Sequence, residues 1–189
     1  MKDYNSCMSQ FYTRSGDDGF TGLLGEGRVP KYHPRTEAVG ALDEASAALG
    51  LARATSLDER SKLVLLAAQR DLYGLMAEVA ATPDNAARFR TIDAVKVSWL
   101  ETQTDSISAA ISIPNEFIVP GDSQAGAALA LARTIVRRAE RQVAYLVHEQ
   151  ALENQYLLQY LNRLSSLCFV LELLENQATG RTSPTFAKE

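Results

Sequence analysis

The stretch Asn154-Gln-Tyr-Leu157-Leu-Gln-Tyr-Leu161-Asn-Arg-Leu164-Ser-Ser-Leu-Cys168-Phe-Val-Leu171 decides the fold. Its apolar positions 157, 161, 164, 168 and 171 alternate spacings of four and three, the seam by which helices pack in a left-handed bundle. Upstream, Asp122 or Ser123 caps a helix running towards Gln150, with Ala132, Val136, Ala139, Val143 and Leu146 on one stripe. A helix from about Thr91 carries Val95, Trp99 and Ile107 before Pro114. Another begins near Asp58 and passes Leu63, Leu66, Gln69, Leu72, Met76 and Val79, until Thr82-Pro83 stops it. The first opens at Pro34 and carries Ala38, Ala41, Leu42, Ala45, Leu49 and Ala52. Residues 85–90 read as a polar connection, and Glu116–Gly121 as a short extended piece ending in a turn. The expected architecture is all-α, a five-helix up-and-down bundle with short links.

Outside the bundle the helical period disappears. Residues 1–34 are broken by Gly16, Gly19, Gly22, Gly25, Gly27 and Pro30, which predicts an irregular glycine-rich segment. Residues 35–175 form the bundle, and the polar residues 176–189 read as a loose tail. At 189 residues and 46% hydrophobic content the chain suits one core and is short for two.

Charge narrows the function. A net charge of −4 argues against a general nucleic-acid binder, whose phosphate contacts require a basic surface. Against that bias stands Arg133-Thr-Ile-Val-Arg137-Arg138-Ala-Glu140-Arg141. At roughly 100° per residue, Arg133, Arg137 and Arg141 lie nearly opposite the apolar stripe, with Glu140 one turn from Arg137 and able to orient it. Such a row is either a solvated face with ordinary ion pairs or a phosphate-binding surface. The preponderance of arginine, whose planar fork matches phosphate oxygens, favours the second.

A second anion-holding candidate is Thr13-Arg14-Ser15-Gly16-Asp17-Asp18-Gly19-Phe20-Thr21-Gly22, followed by Lys31. It is not a Walker A loop, because no Gly-Lys-Ser/Thr closes it. Its glycines would still let backbone N–H groups converge on an anion, with Thr13, Ser15 and Thr21 adding hydroxyls and Lys31 a point charge. A polyphosphate is the simplest ligand needing both segments.

Other chemistries fail on inventory. His33 and His148 lack the Glu-x-x-His spacing of a di-iron bundle and read as exposed loop and helix-end residues. No cysteine–histidine set suits zinc, and no nucleophile elbow is present. Cys7 and Cys168 form no disulfide framework, and Cys168 falls in the apolar seam as a small core residue. With no apolar leader and no stretch approaching bilayer length, a soluble cytoplasmic protein is expected.

Six segments together resemble the PduO-type ATP:cob(I)alamin adenosyltransferases. They are Tyr12–Gly22, Pro30-Lys31, Gly40-Ala-Leu-Asp43-Glu44, Phe117-Ile-Val-Pro-Gly121, Ala132–Arg141 and Tyr160-Leu-Asn-Arg-Leu-Ser165, in the family's order and spacing. The resemblance implies a homotrimer with ATP and cobalamin meeting between subunits. It assigns Thr13, Arg14, Ser15, Gly16, Asp17, Thr21, Gly22 and Lys31 to the triphosphate. Arg137, Arg138, Glu140, Arg141 and Asn162 would complete the nucleotide site from the neighbour. Asp43 and Arg133 match a subunit-bridging pair, and Phe117 matches an aromatic residue facing the corrin ring that displaces its lower axial ligand.

The activity so implied is transfer of the 5′-deoxyadenosyl group of ATP to cob(I)alamin, with Arg137, Lys31 and Phe117 as the catalytic residues. Magnesium would be held mainly through the ATP phosphates. The partners implied are a cobalamin reductase and a downstream adenosylcobalamin-dependent enzyme, with no nucleic acid and no membrane. A non-catalytic ATP- or corrinoid-binding carrier or sensor is the alternative, and a helical assembly protein a third. The chain departs from the family at Ala45-Ser46, where Leu-Asn is common. It departs again at Asp122, where glycine is frequent, and at Ser166, where aspartate is usual.

Overall fold

Of the five long helices, four start at a side chain that caps them. A computed structural model describes Tyr12, residues 14–181 and residues 183–188, so Cys7 and Thr13 lie outside the described residues. Helix α1 spans Pro34–Thr55 and starts with its proline in the first turn, while His33 Nδ1 accepts from the Arg35 N–H at 3.2 Å. His33 is therefore a half-buried cap rather than an exposed loop residue. Helix α2 (Glu59–Ala80) is capped by Asp58, and α4 (Ala94–Ser108) by Asp93. Helix α5 (Gln124–His148) is capped by Ser123, and α6 covers Tyr156–Ala178.

The core is the apolar stripes of these helices. Helix α1 packs on α2 and α5, α5 packs on α6, and α6 on α4. The stripe of α1, the stripe of α5 and the whole α6 seam are buried as expected. Truncating a fully buried seam residue such as Leu161 to alanine would cost about 2–5 kcal/mol. Two stripes differ from expectation. In α2 the buried set is Val64, Leu65, Ala68, Leu72, Leu75 and Val79, leaving Leu63 exposed. In α4, Val97, Leu100 and Ile107 are buried while Val95 faces out. Both helices also bury polar links that a purely apolar pattern ignores. Asp71 of α2 accepts from Tyr160 Oη at 3.0 Å and Lys96 Nζ at 2.7 Å, which fixes the rotation of both.

Three additions and one extension correct the expected outline. Residues 83–89 form a one-turn helix, α3 (Pro83–Ala86), and a 3₁₀ turn where a plain connection was expected. The N-terminal segment holds an antiparallel hairpin, β1 (Phe20–Gly22) with β2 (Arg28–Pro30), pairing Thr21 with Val29. It docks on the end of α2 through Leu24 N–H to Ala80 O at 2.9 Å and Thr82 N–H to Leu24 O at 3.1 Å. Gly25 (φ 150°) leaves no room for a side chain there, since a Cβ would stand 2.2 Å from Thr82 Oγ1.

The polar residues after 175 are not a loose tail. Helix α6 continues to Ala178, with Asn176 buried and accepting from Ser123 Oγ at 2.6 Å. Beyond it the chain returns to the 117–119 segment, pairing Ile118 with Phe186. Helix α6 is also long and apolar enough to cross a bilayer, which the sequence alone did not suggest, and 61% of that apolar window is buried inside the bundle.

Candidate functional site

Arg28 builds the first half of the site. Its Nη1 and Nη2 reach the two oxygens of Asp18 at 2.8 Å each, and Nη2 also donates to Ser15 O (2.5 Å) and Phe20 O (3.0 Å). Asp18 Oδ1 accepts from the Phe20 N–H as well, at 3.1 Å. Arg28 holds the Asp18 carboxyl below the usual carboxylate range. This brace folds residues 14–19 into tight turns, with Arg14 at φ 60° and the Gly19 N–H donating to Gly16 O at 3.1 Å. Lys31 is tied in by its N–H to Gly19 O at 2.9 Å. Its Nζ lies 3.0 Å from where a Gly16 Cβ would stand, so glycine is what lets the ammonium lie over the loop backbone.

Ser15, Gly16 and Lys31 are thus brought together, with Asp17 exposed beside them. Thr21 sits half-buried in β1, and Gly22 lies at its far end opposite Arg28. Sequence reasoning gave Arg28 and Asp18 no role. The signal for them was an acid just before the Gly19 turn with a single arginine ten residues on, meaningful only once the hairpin register is known.

The second half is the outer face of α5. Arg137, Arg138 and Arg141 are exposed and Glu140 and Arg133 half-buried. Arg138 forms an ion pair with Glu44 of α1. Arg141 Nη1 donates to Arg137 O at 3.2 Å. Glu140 does not orient Arg137 as expected. It accepts instead from Asn162 Nδ2 at 3.1 Å, while Asn162 Oδ1 accepts from Arg163 Nη1 at 3.0 Å. The Asn162 amide is therefore fixed from both ends. Among the described residues the Arg137 guanidinium makes no hydrogen bond or ion pair, and neither does that of half-buried Arg133, so Arg137 is the exposed free cation of the row.

Among the described residues no hydrogen bond or ion pair joins residues 16–31 to the α5 row within one chain. From Gly16 to Lys31 the polar contacts stay within the hairpin segment or go to the end of α2 and to Asn85. Asp43 is exposed on α1 and forms no pair with Arg133 among the described residues.

A third feature lies at the α5–α6 end. Phe117 is 88% exposed, too exposed to be a core aromatic. It fronts a cavity of about 350 Å³, walled by Pro114, Ile118, Pro120 and Phe169, with Arg133 and Glu172 among its lining. The tail holds this loop by Val119 N–H to Thr185 O and Ala187 N–H to Phe117 O, both 2.8 Å. Asp122 secures the tail, accepting from Arg181 Nη1 at 2.7 Å and from the Thr185 N–H and Oγ1 at 2.8 and 2.7 Å. Ser46 accepts from Gln69 Nε2 through its carbonyl at 3.0 Å, and Ser166 lies exposed beside Arg163, Glu101 and Asp105, its hydroxyl donating to Asn162 O at 3.4 Å.

The described residues thus form a helical bundle carrying a glycine-bearing hairpin with Lys31, an exposed unpaired arginine on an outer face and an exposed aromatic over a cavity. The family described as cobalamin adenosyltransferase matches residues 11–175, and this chain belongs to it. It is 39% identical over 166 residues to the corrinoid adenosyltransferase PduO of Salmonella typhimurium, covering 87% of this chain and 49% of that protein. The chain thus spans about half the length of that relative. A cobalamin adenosyltransferase of Cupriavidus metallidurans is 36% identical over 183 residues, with 96% of each chain covered. Among solved structures, a point variant of the PduO-type ATP:corrinoid adenosyltransferase from Lactobacillus reuteri, complexed with cobalamin and ATP, superposes with a TM-score of 0.85. It is 29% identical and covers 95% of this chain and 97% of that one.

Proposed function

We propose that this protein transfers the 5′-deoxyadenosyl group of ATP to cob(I)alamin, forming adenosylcobalamin and releasing triphosphate. It acts as a cytoplasmic homotrimer with its sites between subunits, taking reduced corrinoid from a reductase and passing product to an adenosylcobalamin-dependent enzyme. The observation that carries this reading is the exposed, uncommitted Arg137 beside Arg138, Arg141 and the Asn162 amide, which neighbours fix. The separation of hairpin and arginine row within one chain agrees with a site completed by a second copy.

The chemistry suits the residues. The cobalt(I) lone pair forms a bond to C5′ of ATP as the C5′–O bond breaks, and triphosphate leaves with that electron pair. No proton moves, so no general base is required. The chain's task is to align cobalt, carbon and leaving oxygen, and to place positive charge where the leaving group grows negative. Lys31, the N–H groups of the Ser15–Gly16 turn, Arg14, Thr13 and Thr21 hold the triphosphate on one side. Arg137, Arg138, Arg141 and the Glu140-held Asn162 hold the nucleotide on the other. A magnesium ion carried on the phosphates fits this cradle, since Asp17 is a carboxylate free of ion pairs among the described residues. Phe117 presents an apolar face to the corrin, keeping a ligand off the lower side of cobalt and easing its reduction.

The test is anaerobic incubation of reduced cobalamin with Mg-ATP, followed by the light-sensitive absorbance of a cobalt–carbon bond. Turnover supports the enzyme, and ATP affinity without turnover supports a carrier or sensor. Neither result together with intact folding would leave only an assembly role.

A further inference from the structure

Glu172 has no part in the chemistry above, yet it sits in the wall of the Phe117 cavity. It is 1% exposed, and its Oε1 has no hydrogen-bond partner among the described residues. Arg133, across from it on α5, lines the same cavity and has an Nε equally without a partner. The two side chains are near enough to influence each other's charge but form no ion pair within 4.0 Å. Two residues that line one cavity therefore each keep a sheltered, unpaired polar atom, an acceptor on Glu172 and a donor on Arg133. Leaving either unsatisfied carries a desolvation cost, so the arrangement calls for a guest that supplies both a donor and an acceptor.

Three kinds of guest can be compared. An anion would meet the Glu172 carboxylate, and a cation would meet Arg133. A neutral primary carboxamide offers N–H and C=O side by side and opposes neither charge. Cobalamin carries several such carboxamides around its corrin rim. The cavity, about 350 Å³ with apolar walls, is too small for the corrin itself but has room for one of its side arms. Phe117 stands at its edge with an exposed ring, where the corrin face would lie.

Building on the proposed function, we propose that Arg133 and Glu172 read one rim carboxamide of the corrinoid. The amide oxygen accepts from Arg133 Nε, and the amide N–H donates to Glu172 Oε1. Glu172 is then a specificity-determining residue that favours fully amidated corrinoids over those bearing a carboxylate at that position. The terminal nitrogens of Arg133 stay available for Asp43 of the partner subunit.

The experiment is an anaerobic absorbance titration of the full chain, with Mg-ATP present at pH 8. The probes are cob(II)alamin and its separated monocarboxylic isomers, each with one rim amide hydrolysed. For one isomer the wild type should bind about tenfold more weakly than for the parent, the scale of one charge-assisted hydrogen bond lost. Glu172→Ala should weaken the parent about tenfold and erase the penalty for that isomer alone, leaving ATP affinity unchanged. Glu172→Gln keeps the shape and an acceptor, so it should retain part of the parent affinity and controls for folding. An isomer ranking identical in wild type and Glu172→Ala overturns the inference, even if cobalamin is adenosylated normally. A wild type that binds ATP but no corrinoid overturns this and the proposed function together.

Discussion

The hairpin–α5 side and the Phe117 corner of this molecule are built in opposite ways. The hairpin and the α5 face take their functional groups from short continuous segments, residues 14–31 and 133–141, and present them outward. The Phe117 corner assembles residues 114–122, Arg133, Phe169–Glu172 and the returning tail, most of them distant in sequence. On the first side most of the charges are exposed, and the Asp18–Arg28 brace is closed within the hairpin segment. On the second a glutamate is buried at 1% exposure with an oxygen unpaired. Phosphate binding needs exposed, rigid cations, whereas recognising a large neutral ring needs shape and sheltered polar atoms.

The sharpest way to break this contrast is Arg137→Ala. If the free guanidinium stabilises the departing triphosphate, kcat in a single-turnover adenosylation assay should fall by about 10²–10³, or about 2.7–4 kcal/mol. Wild-type rates in that variant would remove the arginine face from the chemistry. Phe117→Ala addresses the other corner. Misplacing the corrin by an ångström can cost up to about 10²-fold, so turnover starting from cob(II)alamin should drop by as much while KM for ATP holds. A matching rise in KM for ATP would mean the two regions are one site whose parts cannot be separated.

These regions also differed in how far the sequence revealed them. The seam of α6 and the stripes of α1 and α5 were legible because one apolar face meets one neighbour at a time. The stripes of α2 and α4 were misjudged because Asp71, Lys96 and Tyr160 form a buried polar link that sets helix rotation. The exposure of Arg137 followed from its place opposite the apolar stripe, and the position of Lys31 over Gly16 from the glycines before it. The Asp18–Arg28 brace could not, because it depends on hairpin register. The tail looked loose because Asn176, Arg181 and Thr185 are polar. Their partners, Ser123 and Asp122, lie more than fifty residues away, and local pattern carries no trace of such pairings.

Asp122→Ala separates corner from core. Removing three hydrogen bonds to a carboxylate whose side chain is only 4% exposed should cost about 1–2 kcal/mol, release the tail to protease and lower the affinity for cobalamin, with ATP binding unchanged. Arg28 pins Asp18 on the other side, so Asp18→Asn should do the reverse, raising KM for ATP while the tail stays protected. A protease pattern in which Asp122→Ala leaves the tail intact would show that the strand-like pairing at Ile118 and Phe186 holds it alone.

The smallest effect concerns pH and isolates the buried carboxyl. Burial raises the Glu172 pKa from its ordinary 4.5 to about 7, opposed by Arg133 and reinforced by Asp122, with Cys168 and Glu116 also nearby. An acid whose folded pKa lies above its unfolded value binds more protons when folded. Its contribution is therefore fully favourable below about pH 4.5 and is lost as pH rises towards 7. Glu172→Gln is neutral at every pH, so it should match wild type in thermal unfolding at pH 5 and exceed it at pH 8. Discounted for solvent reaching the cavity, the gain is about 1 kcal/mol, or a Tm rise of about 2–4 °C. Bound cobalamin should shrink that gap, because a carboxamide between Arg133 and Glu172 stabilises the charged form. A gap of the same size at both pH values would mean that Glu172 is already solvated, which would also remove the reason for Arg133 and Glu172 to need a guest.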